Sequence, residues 1–364
     1  MGKVVTFGEI MIRMHMPDHF RFRQALPGSF EVTFAGAEAN VAVSIALLGG
    51  DSAFVSALPK HSIADACVGT LRGLGVDVSS IVRTDRGRLG IYFVEAGANQ
   101  LPSNVIYDRD YSSVSMEPGS SYDWKRIFAG ATWFHITGIT PSLSKNAAEI
   151  SLEAVQAAKQ AGLTVSCDLN FRKKMWRWEP GTDSHALAAR VMSGMLPFVD
   201  LLFANEEDVQ DVLGISCDAV DTSSGNLDVQ KYPDIAGKVN AKFPNLKKIA
   251  FTLRESISAT HNNWGGLLYD TASGTAYFAP MDEGVYSPYQ IRDIVDRIGG
   301  GDSFGAGLIY ALNDGELGKQ NETAVGFAAA ASCLCHSIKG DFNFSSREEV
   351  VALMKGKTSG RIVR

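Results

Sequence analysis

Apolar and polar residues alternate along this chain in two rhythms. Residues 4–10 (VVTFGEI) form a short apolar run of the kind that fills the middle of a sheet. Residues 37–48 follow with a helical pattern closed by Gly49-Gly50, residues 52–58 return to strand, and 63–74 read as a helix that Gly75 ends. The alternation resumes with strands at 132–136, 163–169, 201–204 and 248–253, and helices at 144–161 and 206–213. In the longer of these two helices Ser144 stands where an N-cap is needed, alanine and glutamate fill the body, and Gly162 stops it. Strands and helices taken in turn predict an α/β fold: a mostly parallel sheet with helices on both faces.

Two stretches break this rhythm, at about 12–34 and 88–115. The first holds Pro17 and Pro27 and has no helical period; the second contains two strand-like runs, 90–95 and 104–108, with no helix between them. They predict a small antiparallel β insert that acts as a lid, while residues 1–364 as a whole read as one domain. Residues 216–233 read as a long surface loop. There is no internal repeat.

Composition narrows the function. Apolar residues make up 45% and charged residues 20% of the 364, which is ordinary for a globular protein. A net charge of -6 without a basic run argues against nucleic acid as a partner. No apolar run is long enough to span a bilayer, and the first residues carry no charged leader before an apolar core, so a cytoplasmic protein without membrane contact is expected. Five scattered cysteines (Cys67, Cys167, Cys217, Cys333, Cys335) form no disulfide framework and fit a reducing compartment. The seven histidines have no metal-ligand spacing and read as structural or exposed.

The most informative segment is Asp296-Arg297-Ile298-Gly299-Gly300-Gly301-Asp302-Ser303-Phe304. Three consecutive glycines allow backbone closed to other residues, and an amphipathic helical pattern (Phe304, Gly307, Leu308, Ala311, Leu312) begins directly after them. A glycine-rich turn feeding a helix N-terminus is an anion site, because free amides and the helix dipole both favour a phosphate there. Asp302, at the start of that helix, is suited to take the proton of a hydroxyl attacking a phosphoryl group. The dipole is expected to keep it ionised. A plain capped helix would use the same residues. The chain contains neither Gly-x4-Gly-Lys-Ser/Thr nor a glycine fingerprint after its first strand, which disfavours a Walker-type loop and a nicotinamide oxidoreductase.

These residues resemble the second signature of the ribokinase-like (PfkB) carbohydrate kinases, D-T-x-G-A-G-D-x-F, with Arg297 in place of the threonine and Gly300 in place of the alanine. The first signature is similar to Phe34-Ala35-Gly36-Ala37-Glu38-Ala39-Asn40, where Ala35 replaces a glycine, and Phe7-Gly8-Glu9 matches the family's first strand. The openings Thr6–Met11, Asp168-Leu169-Asn170-Phe171-Arg172 and Tyr107-Asp108-Arg109 look most like 2-keto-3-deoxygluconate kinases.

The resemblance implies a ribokinase-like fold and an ATP-dependent kinase using Mg²⁺, with a monovalent cation as a further possibility. It implies catalysis by Asp302 with the amides of Gly299, Gly300 and Gly301. It implies a sugar site built from Glu9, Gly36, Asn40, Tyr92, Tyr107, Arg109 and Arg172. Asn170, Asn205, Thr252 and Arg254 would meet the nucleotide, Arg254 standing where the family has a glycine. Glu207 or Asp208 would serve magnesium through water, in a segment (Asn205-Glu206-Glu207-Asp208) that departs from the family's N-x-x-E by its last residue. A homo-oligomer through the lid is expected. Two arginines at one sugar site favour a substrate with a carboxylate over fructose or a nucleoside. A non-catalytic sugar-binding regulator is the alternative from another class, and Asp302 argues against it.

Overall fold

The computed structural model describes residues 1–216 and 227–356. Its main sheet has the order β13-β12-β11-β10-β9-β8-β1-β4-β5. The parallel part comprises β1 (Lys3–Phe7), β4 (Ser52–Pro59), β5 (Ile81–Thr84), β8 (Ala131–Thr137), β9 (Thr164–Asp168), β10 (Leu201–Ala204) and β11 (Lys248–Ser258). These strands are apolar on both faces because helices cover both, as parallel sheets require. β11 turns into β12 (His261–Asp270) and then β13 (Thr275–Ala279), both antiparallel, and Tyr289–Ile291 also pairs with β12.

Nine helices of two turns or more are described: α1 (Ala37–Leu47), α2 (Ser62–Gly73), α3 (Lys145–Gln160), α4 (Ser184–Met195), α5 (Glu206–Leu213), α6 (Tyr232–Lys242), α7 (Gly300–Asn313), α8 (Asn321–Cys335) and α9 (Arg347–Met354). Ser144 caps α3 as its sequence predicts, accepting from the amide of Ala147 at 3.0 Å. The sequence pattern finds α1, α2, α3 and α5 to within a residue or two. It stops at β11 and misses the antiparallel hairpin beyond, since Glu255, Ser256 and Ser258 break its apolar run. It carries β1 on to residue 10, whereas the strand ends at Phe7.

A second, four-stranded sheet, β3-β2-β6-β7, is built from β2 (Met11–His15), β3 (Glu31–Ala35), β6 (Gly90–Glu95) and β7 (Asn104–Asp108). It is mixed rather than antiparallel. β2 and β6 come from the two distant segments and run parallel, Met11 opposite Gly90 and His15 opposite Val94. Hairpin-type adjacency cannot join strands so far apart in sequence, which is why the local reading gave the wrong sense. Of the stretch 216–233, residues 217–226 lie outside the described part, and Cys217 with them. Its end forms a turn of 3₁₀ helix (Val229–Lys231) running into α6.

Helix α7 is buried nearly all round, from Ser303 to Ala311, and is not amphipathic as its pattern suggests. It lies between α1 and α8. Gly307 lets α8 approach: an added Cβ would stand 3.0 Å from Ala328 Cα and 3.2 Å from Ala331 Cβ. Substituting Gly307→Leu is therefore expected to destabilise the protein by about 1–3 kcal/mol through overpacking, despite leucine's better helix propensity. Urea denaturation of both proteins measures this, and an unchanged midpoint would exclude close α7–α8 packing as the reason for the glycine.

Candidate active site

A cavity of about 390 Å³ opens beyond the carboxyl ends of β9, β10 and β11, at the N-terminus of α7. This is where open α/β sheets place their ligands. Gly299 caps α7 with φ 86°, a left-handed conformation, and a side chain there would collide with the backbone oxygen of Asp341. A Cβ on Gly300 would come within 2.8 Å of the His336 ring. The first intrahelical bond runs from Ser303 N to Gly299 O at 2.8 Å. The amides of Gly300, Gly301 and Asp302 precede it and have no acceptor inside the helix. All three residues line the cavity, at the positive end of the helix.

Asp302 occupies the first turn of α7 and lines this cavity. Its Oδ2 accepts from Asn40 Nδ2 at 2.7 Å, and Asn40 Oδ1 in turn accepts from the amide of Gly36 at 3.1 Å. Asn40 is therefore committed to orienting the carboxylate and is not simply a donor to sugar hydroxyls. Gly36 brings its backbone against that of Glu9, where a Cβ would collide. The carboxyl keeps an edge on the cavity, yet desolvation by the surrounding protein raises its pKa to about 6, and nearby Asp341 adds to the effect. Asn40 and Arg172 pull the other way. The dipole of α7 thus does not hold Asp302 at an ordinary carboxylate value.

Across the cavity stand Asp168 and Asp208. Asp208 is buried, its Oδ1 accepts from the amide of Phe171 at 3.0 Å, and burial raises its pKa to about 7. Asp168 ends β9 and is pushed well up by desolvation and by the charges of Asp208 and Asp302. It accepts from the amide of Asn170 at 3.0 Å, holding that residue at φ 38°, a conformation uncommon outside glycine. Asn205 caps α5, accepting from Asp208 N at 2.7 Å, and also lines the cavity, as do Glu207, Thr252 and Arg254. Among the described residues no cluster of three or more His, Cys, Asp or Glu could hold a metal alone. The oxygen donors Glu207, Asp208 and Asp168 do fit Mg²⁺, which completes its shell with water and phosphate.

Of the remaining predicted residues, Tyr92 and Tyr107 lie on the small sheet and Arg109 just after it, while Arg172 follows β9 of the main sheet. Tyr107 and Arg172 line the cavity; Arg172 donates to the Phe171 carbonyl at 2.9 Å and lies close enough to Asp168, Asp208 and Asp302 to lower their pKa values. Arg109 lines it too, over the Tyr107 ring at 5.5 Å, but its Nε donates to Glu9 Oε2 at 2.7 Å and its Nη2 also pairs with that oxygen. Glu9 itself is buried beneath the wall and does not line the cavity. Tyr92 lines it while its hydroxyl donates to Asp341 Oδ2 at 2.8 Å. His336, read as merely structural, also lines the cavity; Trp264, near its ring, does as well.

Sequence reasoning overlooked one network. Arg13 on β2 is 2% exposed and ion-pairs with both Asp341, at 2.5 Å, and Asp296. A lone arginine inside an otherwise apolar strand was a usable signal. Asp341 offered none, because only the fold brings it to the glycine turn.

The Glu9–Arg109 pair yields a test. Removing one partner of a buried pair leaves an uncompensated charge, typically costing about 3–5 kcal/mol, whereas replacing both is often close to neutral. Arg109→Ala is expected to lose stability on that order in chemical denaturation, and Glu9→Gln/Arg109→Met to recover most of it. Equal losses in the two proteins would mean that packing, not charge, governs the contact.

Comparison with known proteins agrees with this geometry. The pfkB family carbohydrate kinase model matches residues 1–346. A 2-dehydro-3-deoxygalactonokinase from Haloferax volcanii is 32% identical over 360 residues, 99% of this chain and 98% of that protein. The crystal structure of 2-dehydro-3-deoxygluconokinase from Thermotoga maritima is 44% identical, covers 98% of this chain and 100% of that one, and superposes with a TM-score of 0.87. A putative ribokinase II from E. coli in complex with ATP and Mg²⁺ shares the fold at 20% identity, with a TM-score of 0.74 over 98% of this chain and 100% of that one. The chain belongs to the pfkB family of carbohydrate kinases, and within it resembles the kinases of 2-dehydro-3-deoxy sugar acids.

Proposed function

We propose that this protein transfers the γ-phosphoryl group of ATP to O6 of 2-keto-3-deoxygluconate, giving the 6-phosphate. The observation that carries the reading is Asp302: a carboxylate with a pKa of about 6, in the first turn of a helix whose free amides face one cavity with Arg172 and Arg109. The sugar acid lies toward the small sheet and ATP toward β10 and β11. Arg172 grips the substrate carboxylate. Arg109, fixed by Glu9 through Nε and Nη2, still offers N–H groups on Nη1, which meets only Met175 Sδ at 3.4 Å. Tyr92, Tyr107, Gly36 and Asn40 shape the same end, and the small sheet acts as a lid over it.

As O6 attacks the γ-phosphorus, Asp302 takes the O6 proton, the new O6–P bond forms, and the bond from phosphorus to the bridging oxygen breaks with its electron pair leaving on ADP. The amides of Gly300, Gly301 and Asp302 stabilise charge on the phosphoryl oxygens. Glu207 and Asp208, with Asn205 beside them, would hold Mg²⁺, which would supply charge neutralisation for the phosphates. Arg172 and the free Nη1 of Arg109 favour a carboxylate-bearing substrate, whereas a neutral ketose such as fructose offers them no anion, and Arg109 keeps only Glu9. The 4-epimer, 2-keto-3-deoxygalactonate, presents the same carboxylate and O6.

Asp302→Asn is expected to cut kcat by roughly 10²–10⁴ while leaving the protein folded and its ATP binding intact. A variant retaining more than half of wild-type kcat would sink the assignment. In wild type, kcat/KM for the sugar acid should rise with pH as a group of pKa about 6 deprotonates, then level off, because only ionised Asp302 accepts a proton. A coupled assay over sugar acids and neutral sugars tests specificity. Arg172→Ala should lower kcat/KM for the acid about tenfold to a hundredfold. A wild-type preference for fructose or ribose would overturn the substrate reading and leave the kinase intact.

A further inference from the structure

The chain departs from the family's nucleotide-side pattern at two positions, Arg297 for threonine and Arg254 for glycine. They are far apart in sequence, on different elements, and the fold brings both to one wall of the cavity. Arg254 lies on β11 directly opposite Trp264 on β12, with Ser256 opposite Asn262. Period-2 alternation puts Arg254, Trp264 and Asn262 on one face of that hairpin, and all three line the cavity. Arg297 lies two residues before the Gly299 cap of α7.

This wall is rich in donors that no described group of the protein satisfies. Among the described residues neither arginine has a hydrogen-bond or ion-pair partner. Asp296, the nearest carboxylate in sequence to Arg297, is taken by Arg13. Arg297 is half-buried, and burial with repulsion from Arg254 lowers its pKa. Asn262 is 1% exposed with both amide atoms unpaired, and Trp264 is 4% exposed with its indole N–H unpaired. Arg254 is exposed and hydrated, but the half-buried Arg297 beside it and the orphaned buried donors make this wall one that a polyanion would stabilise.

The opposite charge balance elsewhere says where that polyanion lies. Asp168, Glu207, Asp208 and Asp302 line the same cavity, in a protein of net charge -6, and Arg109 is neutralised by Glu9. A nucleotide's phosphate chain beside those carboxylates needs cations of its own, and the overall field does not supply them.

We propose that Arg254 and Arg297 together grip the phosphate chain of the nucleotide, with Asn262 and the Trp264 indole N–H as supporting donors, in place of the glycine and threonine the family pattern carries there. This rests on the kinase reading above. It makes the two arginines specificity residues for the phosphate donor, without contact to the sugar acid.

The test returns each position to the family residue, Arg254→Gly and Arg297→Thr, in the full chain. Binding of ATP, of inorganic tripolyphosphate and of adenosine is measured by calorimetry without sugar, alongside initial rates. Each variant should bind ATP and tripolyphosphate about tenfold or more weakly, raise KM for ATP correspondingly, and leave adenosine binding and KM for the sugar acid unchanged. Unchanged ATP and tripolyphosphate affinity in both variants overturns the proposal. So does a rise in KM for the sugar acid alone, which would assign the arginines to the substrate carboxylate. If wild type binds ATP and phosphorylates a sugar acid, either result removes only the arginine assignment; if wild type does neither, the kinase reading falls first. Should a reversion fail to fold, Arg254→Lys and Arg297→Lys carry the comparison: weaker tripolyphosphate binding at an unchanged Tm supports the grip, and no change refutes it.

Discussion

The architecture of the cavity depends on the charge balance at Arg13. Its guanidinium, buried in the small sheet, bridges Asp296 and Asp341, which stand on either side of α7 in sequence. Asp296 also accepts from the amides of Ile298 and Gly340, each at 3.2 Å, and so pins the backbone entering the glycine turn to the segment after α8. The backbone of Asp341 is the surface against which Gly299 turns, and its carboxylate holds the Tyr92 hydroxyl. One cation thereby joins β2, β6, the turn and the segment behind it. Hydrophobic packing alone would let these parts slide; an arginine between two carboxylates fixes distance and angle together. Such a cluster need not add net stability, because desolvation offsets much of the attraction, but it sets geometry.

That geometry decides which of two opposing effects governs Asp302. A helix N-terminus stabilises a nearby carboxylate by about 0.3–1 kcal/mol, a fraction of a pKa unit, and at most roughly 2 kcal/mol. Burial shifts a carboxyl upward by as much as 3–5 units. Burial is the larger effect here: desolvation raises the Asp302 carboxyl from 3.8 to about 6, with Asn40 and Arg172 limiting the rise. A carboxyl with such a value is still ionised near neutral pH and is far more basic than a surface aspartate, the compromise that general-base catalysis, the role proposed for it, favours.

How much of this was legible in the sequence follows from whether its cause is local. Strands and helices governed by nearby signals were readable: Ser144 and Gly162 bound one helix, Gly49 and Gly75 end two others, and the glycine run announces an anion cradle. Two strands of the small sheet, β6 and β7, were located; β2 and β3 were not, their stretch being read only as a break in the rhythm, nor was the parallel pairing of β2 with β6, a contact across some eighty residues. Charge was the least legible. Arg109 reads as a free ligand for a carboxylate, while a glutamate one hundred positions earlier in the chain already holds it. Asp302 reads as an ordinary helix-start carboxylate because sequence carries no direct record of desolvation. Arg297 and Arg254 were visible as departures from a pattern, and only the fold shows that the two departures share a wall.

Desolvated carboxyls also tie the site to the protein's stability, and with opposite sign to its chemistry. Asp302 at about 6, Asp208 at about 7 and Glu38 at about 7, the last wholly buried on α1 with Oε1 accepting from Thr137 and Thr140, all sit above their ordinary values because burial disfavours the charge. Each binds its proton more tightly folded than unfolded. The stability this confers is complete below about pH 4 and is lost as pH rises through 6 and 7. The proton abstraction proposed for Asp302 would need the ionised form, so on that reading activity gains over the range where the ligand-free fold loses. Cations that arrive with substrate or already line the cavity reverse part of that loss: Arg172 lowers the pKa of Asp302 and Asp208. The ionised site is thus best tolerated when its charges are matched, and for the wall of Arg254 and Arg297 the proposed match is the phosphate chain of the ligand.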